Sequence, residues 1–417
     1  MRNLLFIITG ISILLSCTNE TPVSQWRGHE RNGYYDEQDL LKKWPDKGPE
    51  LLWSAEGMGD GYSSVSVTRN MIYVTGKHDS IEKLTATDHS GQIRWQVTYG
   101  NAWEGGFPEA KSTPFVEDNR VYVISTSGEV VCIDSKKGDI IWSVDAYRDF
   151  GGYATMWGVC ESPLVVDDKV FYTPAGMQTT MIALDKNTGD LIWASESLKD
   201  SAAYVSPIYI KHNEKNMIVN LSANYLFGVD PENGQILWKY KYYDLKGSIT
   251  HPYHPIINTN SPLYHEGQIY LTKGYDHLAA MFELNEDGTD INLMWTDSIL
   301  DVHIGGAVLI DGFIYGANTI RGRQSMWCCL EWGTGGVLYE EELLGKGAVI
   351  TADDMIYFYG ERRGEVALIK PSPKGSEIIS VFTVSQGTGP HWAHPVIRDG
   401  VLYIRHGDAI MAYHIKT

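Results

Sequence analysis

The chain has 417 residues, a formal net charge of −18, 21% charged and 12% aromatic side chains, and 42 glycines. The negative balance argues against nucleic acid as a partner, because phosphate neutralisation dominates such binding. The aromatic and glycine content argues against disorder and suits many short strands joined by tight turns.

At the N-terminus, Arg2 precedes an apolar run over residues 4–15. The run is shorter than the ~20 residues a spanning helix needs and has the length of a signal-peptide core. It ends in Leu14-Leu15-Ser16-Cys17, which resembles a bacterial lipobox. That resemblance implies a signal peptide over 1–16, lipidation of Cys17 and a short polar tether over 17–24, with the membrane reached through the anchor alone. The other cysteines are Cys132, Cys160, Cys328 and Cys329, too few for a disulfide framework in a chain this long. Cys132 occupies a strand position that suits a buried thiol. No Cys-x-x-Cys or His-x-x-x-His spacing suggests a metal site.

Residues 25–47 form a leader with Trp26, Trp44 and turn-forming residues, and a helical turn fits near Asp39. Next comes Glu50-Leu51-Leu52-Trp53, the closing half of a unit whose first half is missing. The full unit is clearest in Ala183-Leu184-Asp185-Lys186-Asn187-Thr188-Gly189-Asp190-Leu191-Ile192-Trp193: a short apolar strand, a turn ending in Gly, and a second strand closed by Trp. Gly91 and Trp95, Gly138 and Trp142, and Gly234 and Trp238 repeat the spacing. Each copy is preceded by a Ser/Pro-rich strand such as Glu161-Ser162-Pro163 and a β-branched, aromatic one such as Arg120-Val121-Tyr122-Val123. Four such strands make one antiparallel sheet.

The closing aromatics are Trp53, Trp95, Trp142, Trp193, Trp238, Trp295, Tyr339 and Phe382, about eight units near 48 residues each, the period of a propeller. One large ring per unit reads as a wedge between neighbouring sheets. After Phe382 the chain supplies three strands and stops, while 50–53 supplies one strand without predecessors. Pairing the ends completes a blade and hides two sheet edges. These features predict an all-β, eight-bladed β-propeller of four-stranded antiparallel blades over 25–417, a monomer closed by its own N-terminal strand.

The Asp-x-x-x-Gly-x-x-x-Trp unit resembles the repeat of pyrroloquinoline quinone (PQQ) dehydrogenases. It is also similar to the repeat in the propeller lipoprotein of the outer-membrane β-barrel assembly machinery. Gln25-Trp26-Arg27-Gly28, Gly61-Tyr62-Ser63-Ser64, Met156-Trp157-Gly158, Trp392-Ala393-His394-Pro395 and Leu402-Tyr403-Ile404-Arg405 resemble a group of bacterial PQQ-like propeller proteins. In the dehydrogenases the resemblance implies PQQ with calcium, an aromatic stacking partner and two adjacent cysteines at the mouth. Cys328-Cys329 instead falls at a strand position inside a blade, and no oxygen-ligand cluster for calcium stands out.

In a propeller, the segments entering the innermost strands surround one mouth of the channel, where a ligand is held. They contain Tyr62, Lys111, Trp157, Glu161, Tyr204, His254, Asn260, His303, Lys346, His391, Trp392 and His394. Imidazoles, a carboxylate, a lysine and aromatic platforms suit a small polar or glycan ligand, or acid–base work. The leading expectation is a lipid-anchored envelope protein that binds a protein partner or such a ligand. The alternatives are a quinoprotein oxidoreductase and a carbohydrate-active lyase using His303, His394 or Tyr62.

Overall fold

The computed structural model describes residues 23–417 except 154, 250–256, 321 and 323. The expected signal peptide and Cys17 therefore lie outside the described residues, as does His254. The rest forms eight four-stranded antiparallel sheets. Seven run in chain order from an inner to an outer strand, spanning 66–101, 115–145, 164–194, 208–240, 263–297, 308–341 and 347–383 (blades 1 to 7). The eighth contains three strands over 396–414, closed on the outside by Glu50–Ala55, which pairs with Ala409–His414. The predicted propeller and its closure by the N-terminal strand are both present.

The repeated Trp has a geometric cause. In every blade the register between the third and outer strands slips by one residue, at Leu52, Arg94, Ile141, Ile192, Leu237, Met294, Leu338 and Ile379. The slip re-aims the following side chain and twists the exposed edge away from further pairing. In six blades that side chain is Trp53, Trp95, Trp142, Trp193, Trp238 or Trp295, and in blade 6 it is Tyr339. The rings of Trp53, Trp95, Trp142, Trp193 and Trp295 then pack on the turn glycine of the next blade, while the Tyr339 hydroxyl meets Ser372 and Ser376. A Cβ on Gly138 would lie 2.7 Å from Trp95, one on Gly189 2.8 Å from Trp142, and one on Gly335 2.6 Å from Trp295. Two of the indole N–H groups reach the same turns, Trp142 to the Lys186 carbonyl (3.1 Å) and Trp193 to that of Pro231 (3.0 Å). Trp238 instead lies in the apolar layer between blades 4 and 5.

Blade 7 departs from the expected pattern. The residue after its slip is Ser380, not Phe382. Its hydroxyl accepts from the Trp44 backbone N–H (3.0 Å), and the buried Trp44 ring packs edge-on against Phe382 at 5.2 Å. The leader thus supplies the missing wedge.

The leader also differs from expectation near Asp39, where no helix forms. Leu40 bridges to Lys416, and its N–H is taken by the Asp353 carboxylate (2.8 Å). Upstream, Ser24 bridges to Val116 and Tyr34 to Thr351, at the ends of innermost strands. Between those points Arg27 and Arg31 enter the centre of the ring, 3% and 2% exposed. Arg27 donates to the Ala307 carbonyl (2.7 Å), and Arg31 to those of Pro207 (2.6 Å) and Pro163 (2.6 Å). These carbonyls immediately precede innermost strands, so the leader closes the channel from its lower end.

At the level these guanidinium groups reach, Ser and Thr residues just before the first strands of blades 1 to 4 stitch those blades together. The N–H of Ser64 donates to the Thr113 hydroxyl (2.9 Å), Thr113 to Ser162 (3.0 Å), and Ser162 to Ser206 (2.9 Å). Each hydroxyl satisfies a buried donor that the short inner strand leaves unpaired.

Candidate functional site

Immediately above that belt the segments entering the innermost strands enclose a cavity of about 290 Å³. Tyr62, Lys111, Trp157, Tyr204, His303, Trp392 and His394, all expected at the mouth, line it together. Cys160, Ile304 and Gly305 of the same segments complete the wall with Phe107, Thr259 and Tyr275, which the sequence did not single out.

The aromatic rings form a continuous chain. Tyr62 meets Trp392 with centroids 4.8 Å apart, Trp392 meets Phe107 at 5.4 Å, Phe107 meets Trp157 edge-on at 5.8 Å, and Trp157 meets Tyr204 at 4.9 Å. Tyr275 packs on His303 at 4.5 Å. Phe107 and Tyr275 hold left-handed backbone, with φ of 55° and 62°. For a bulky side chain this costs about 1–3 kcal/mol and persists only where the surroundings impose it, as sites of function often do. The Gly105-Gly106-Phe107-Pro108 sequence is the one local sign that this loop is constrained.

The polar groups are few and defined. Lys111 donates its ammonium to the carbonyls of Phe107 (2.5 Å) and Glu109 (2.9 Å). Burial, then the neighbouring Arg27 charge, holds His394 well below the usual histidine range, so it is a neutral imidazole. Trp26 of the leader packs edge-on beneath it at 5.6 Å. Burial, reinforced by Glu109 and Asp60, raises the Tyr62 hydroxyl. Burial pushes Tyr204 and Tyr275 each up to about 12. Among the described residues no Asp or Glu lines the cavity.

The remaining expected residues do other work. Asn260 is a buried fastener, donating to the carbonyls of Val302 (2.7 Å) and His303 (3.2 Å) and so fixing the His303 loop. Lys346 pairs with Glu361 at 2.9 Å, away from the lining. His391 stacks on His406 at 3.7 Å and meets the Tyr359 hydroxyl at 2.6 Å. Burial, then His406, lowers it to about 4. Glu161, 3% exposed, accepts from the Thr173 N–H (3.1 Å), and burial raises it to about 8 against the opposing charge of Arg31.

Cys328 and Cys329 sit on the strand Trp327–Glu331, as expected, and face apart. Cys328 packs with Tyr270 and Met281 of blade 5, and Cys329 with Val349 and Ile356 of blade 7. Cys132 is a buried free thiol. A second, larger groove of about 860 Å³ opens at the lower mouth, between leader residues such as His29 and Glu30 and the strand ends at Glu117 and Arg398. It contains none of the expected mouth residues.

The family model described as outer membrane protein assembly factor BamB matches residues 80–335. Among curated proteins, the quinoprotein ethanol dehydrogenase of Pseudomonas aeruginosa is 24% identical over 172 residues, 38% of this chain and 26% of that one. The outer membrane protein assembly factor BamB of Kangiella koreensis is 23% identical over 180 residues, 42% of each. The match thus spans well under half the length of these relatives. Among solved structures, BamB from Moraxella catarrhalis superposes with a TM-score of 0.63 at 13% identity, covering 88% of this chain and all of that one. A europium-containing methanol dehydrogenase gives 0.64 at 14% identity, covering 92% of this chain and 90% of that one. At such identities the likeness concerns the fold.

Proposed function

The chain belongs to the PQQ-repeat propeller family described as outer membrane protein assembly factor BamB, and from that premise we propose that it is a lipid-anchored binding protein of the cell envelope. Its upper mouth takes the ring of a small polar ligand, a sugar residue of a glycan. The observation that carries this reading is the convergence of Tyr62, Trp157, Tyr204 and Trp392 with Phe107 and Tyr275 on one cavity, over a channel closed from below. Flat rings offer apolar faces to the C–H faces of a sugar, and a few fixed polar groups set its orientation. The anchor is supported by the apolar run over 4–15 ending at Cys17. On this reading residues 1–16 are removed and 17–24 tether the propeller. Relatives named as outer membrane assembly factors support an envelope protein as a further partner, to be sought by pull-down.

A calcium-held quinone fits this lining poorly. Trp157 is a suitable stacking ring, yet no carboxylate faces the cavity, and the adjacent cysteines point into two different interblade layers. Among the described residues no group of three or more His, Cys, Asp or Glu side chains is placed to hold a metal. The lyase reading keeps one supporting observation: His303, His394 and Tyr62 all line the cavity.

The test is tryptophan fluorescence during titration with a panel of mono- and oligosaccharides, repeated on Trp157→Ala and Trp392→Ala. Saturable quenching that both variants lose supports the reading. A panel without any response overturns it. Release of unsaturated sugar ends, lost in His303→Ala or His394→Ala, moves the chain to the lyase class.

A further inference from the structure

We infer that the cavity selects a ring bearing a carboxylate, a uronic acid residue rather than a neutral hexose, and that Lys111 is the residue that reads the charge. This rests on the mouth being a sugar site.

The argument begins with the pairing of charges around the mouth. Lys346 is matched by Glu361, and the Arg31 guanidinium donates to the carbonyls of Pro207, Ser162 and Pro163. Arg405 donates to the Gly59 and Gly407 carbonyls and lies near Asp60 and Asp408. Glu109 lies beside the Tyr62 hydroxyl, and its Oε2 is buried without a hydrogen-bond partner among the described residues. Lys111 feels the buried Glu82 without contacting it, and Arg27 has no carboxylate beside it among the described residues. Arg27 donates to the Ala307 and Asn32 carbonyls and lies beside the Trp26 ring, and its Nε is buried without a partner. Neither forms an ion pair among the described residues. A protein with a net charge of −18 thus places one ammonium in the cavity wall and one guanidinium beneath His394, with no carboxylate in the lining.

The geometry of Lys111 suits recognition. An ammonium carries three N–H groups, and the Phe107 and Glu109 carbonyls take two of them. Those bonds hold the head at the wall and leave the third donor for a ligand. An aromatic cage alone also suits a quaternary cation, but here such a ligand meets two like charges. Two further buried atoms on the lining residues, the indole Nε1 of Trp392 and Nδ1 of His394, have no hydrogen-bond partner among the described residues. They favour a hydroxyl-bearing ring over a bare arene. A volume of about 290 Å³ accommodates a single such ring at the end of a chain.

The experiment is a fluorescence and calorimetric titration of the full-length, detergent-solubilised lipoprotein with D-galacturonate, D-galactose, benzoate and tetramethylammonium. A charge-assisted hydrogen bond predicts that galacturonate binds about 10- to 100-fold tighter than galactose. In Lys111→Met the ratio of the two affinities falls to near one, and in Lys111→Arg most of it is retained. Equal affinities in the natural protein, a ratio that survives Lys111→Met, or benzoate or tetramethylammonium as the tightest ligand each overturn the inference. Galactose binding without a preference removes only this inference. The absence of binding by either sugar removes the sugar-site reading with it.

Discussion

Substituting the turn glycine of blade 3, Gly189→Ala, tests whether the repeat is a joint between blades. Gly189 has φ of +79°, and an added methyl would lie 2.8 Å from the face of Trp142. The left-handed conformation alone costs an alanine about 1–2 kcal/mol. Trp142 cannot yield easily, since it is 8% exposed and its indole N–H is bonded to the Lys186 carbonyl. Forcing that contact apart adds about 1–3 kcal/mol, the usual range for overpacking. Gly312→Ala is the internal control: its φ is +83°, and nothing lies within 4 Å of the added carbon. Urea denaturation of both variants therefore separates backbone from packing. Gly189→Ala is expected to lose about 2–5 kcal/mol and Gly312→Ala about 1–2. Equal losses would refute the joint and reduce the glycine to a turn residue.

Three other outcomes follow from the same geometry. Trp157→Ala should weaken sugar binding by about tenfold, the loss of one ring contact, while leaving the urea midpoint little changed because Trp157 is only half-buried; an unchanged affinity in calorimetry would remove Trp157 from the site. Burial raises Glu161 from 4.5 to about 8, so between those values the folded state holds a proton that the unfolded chain has released. Its contribution to stability is full below 4.5 and falls as pH rises towards 8, by up to ~1.4 kcal/mol per pH unit. Glu161→Gln should flatten the melting temperature between pH 5.5 and 8, and an unaltered slope would show that Glu161 is ionised throughout. Cys132, Cys328 and Cys329 are fully buried, whereas Cys160 lines the cavity with its thiol pushed up to about 11 by burial. A thiol reagent at pH 8 should therefore modify Cys160 alone, slowly, and galacturonate should slow it further; modification of Cys328 or Cys329 in the folded protein would contradict the blade packing.

Much of the ring was legible because its signal is local. Gly189 and Trp193 lie four residues apart, and their spacing encodes a turn, a register slip and a wedge that every blade reuses. The leader carries no such signal. Arg31 finds its acceptors at Pro163 and Pro207, and Arg27 at Ala307, partners separated by 132 to 280 residues in sequence. Nothing near Arg27 in the chain announces that a ring will close around it. Trp44 was equally opaque, since its place between blades follows from Ser380 standing where other blades carry a large ring.

The mouth shows where a finer reading of sequence was available and where it was not. His391, Trp392, Ala393 and His394 lead into the inner strand of blade 8, which begins at Val396, and their side chains alternate in facing as they would along a strand. Trp392 and His394 line the cavity, while His391 turns outward to Tyr359 and His406. Taking the whole segment as mouth-facing therefore overcounted, and parity alone would have removed His391. Phe107 and Tyr275 yield to no such rule, because each reaches the cavity through a left-handed turn that its own side chain disfavours. Phe107 joins the Trp392 and Trp157 rings, and Tyr275 packs on His303. Blades 1 to 4 thus share a hydroxyl-stitched rim, and the residues that break the repeat convert it into an aromatic cavity with, among the described residues, a single ammonium at its edge. Ligand choice should accordingly change with substitutions in the 102–111 and 274–276 loops, and stability with substitutions at the Gly–Trp joints.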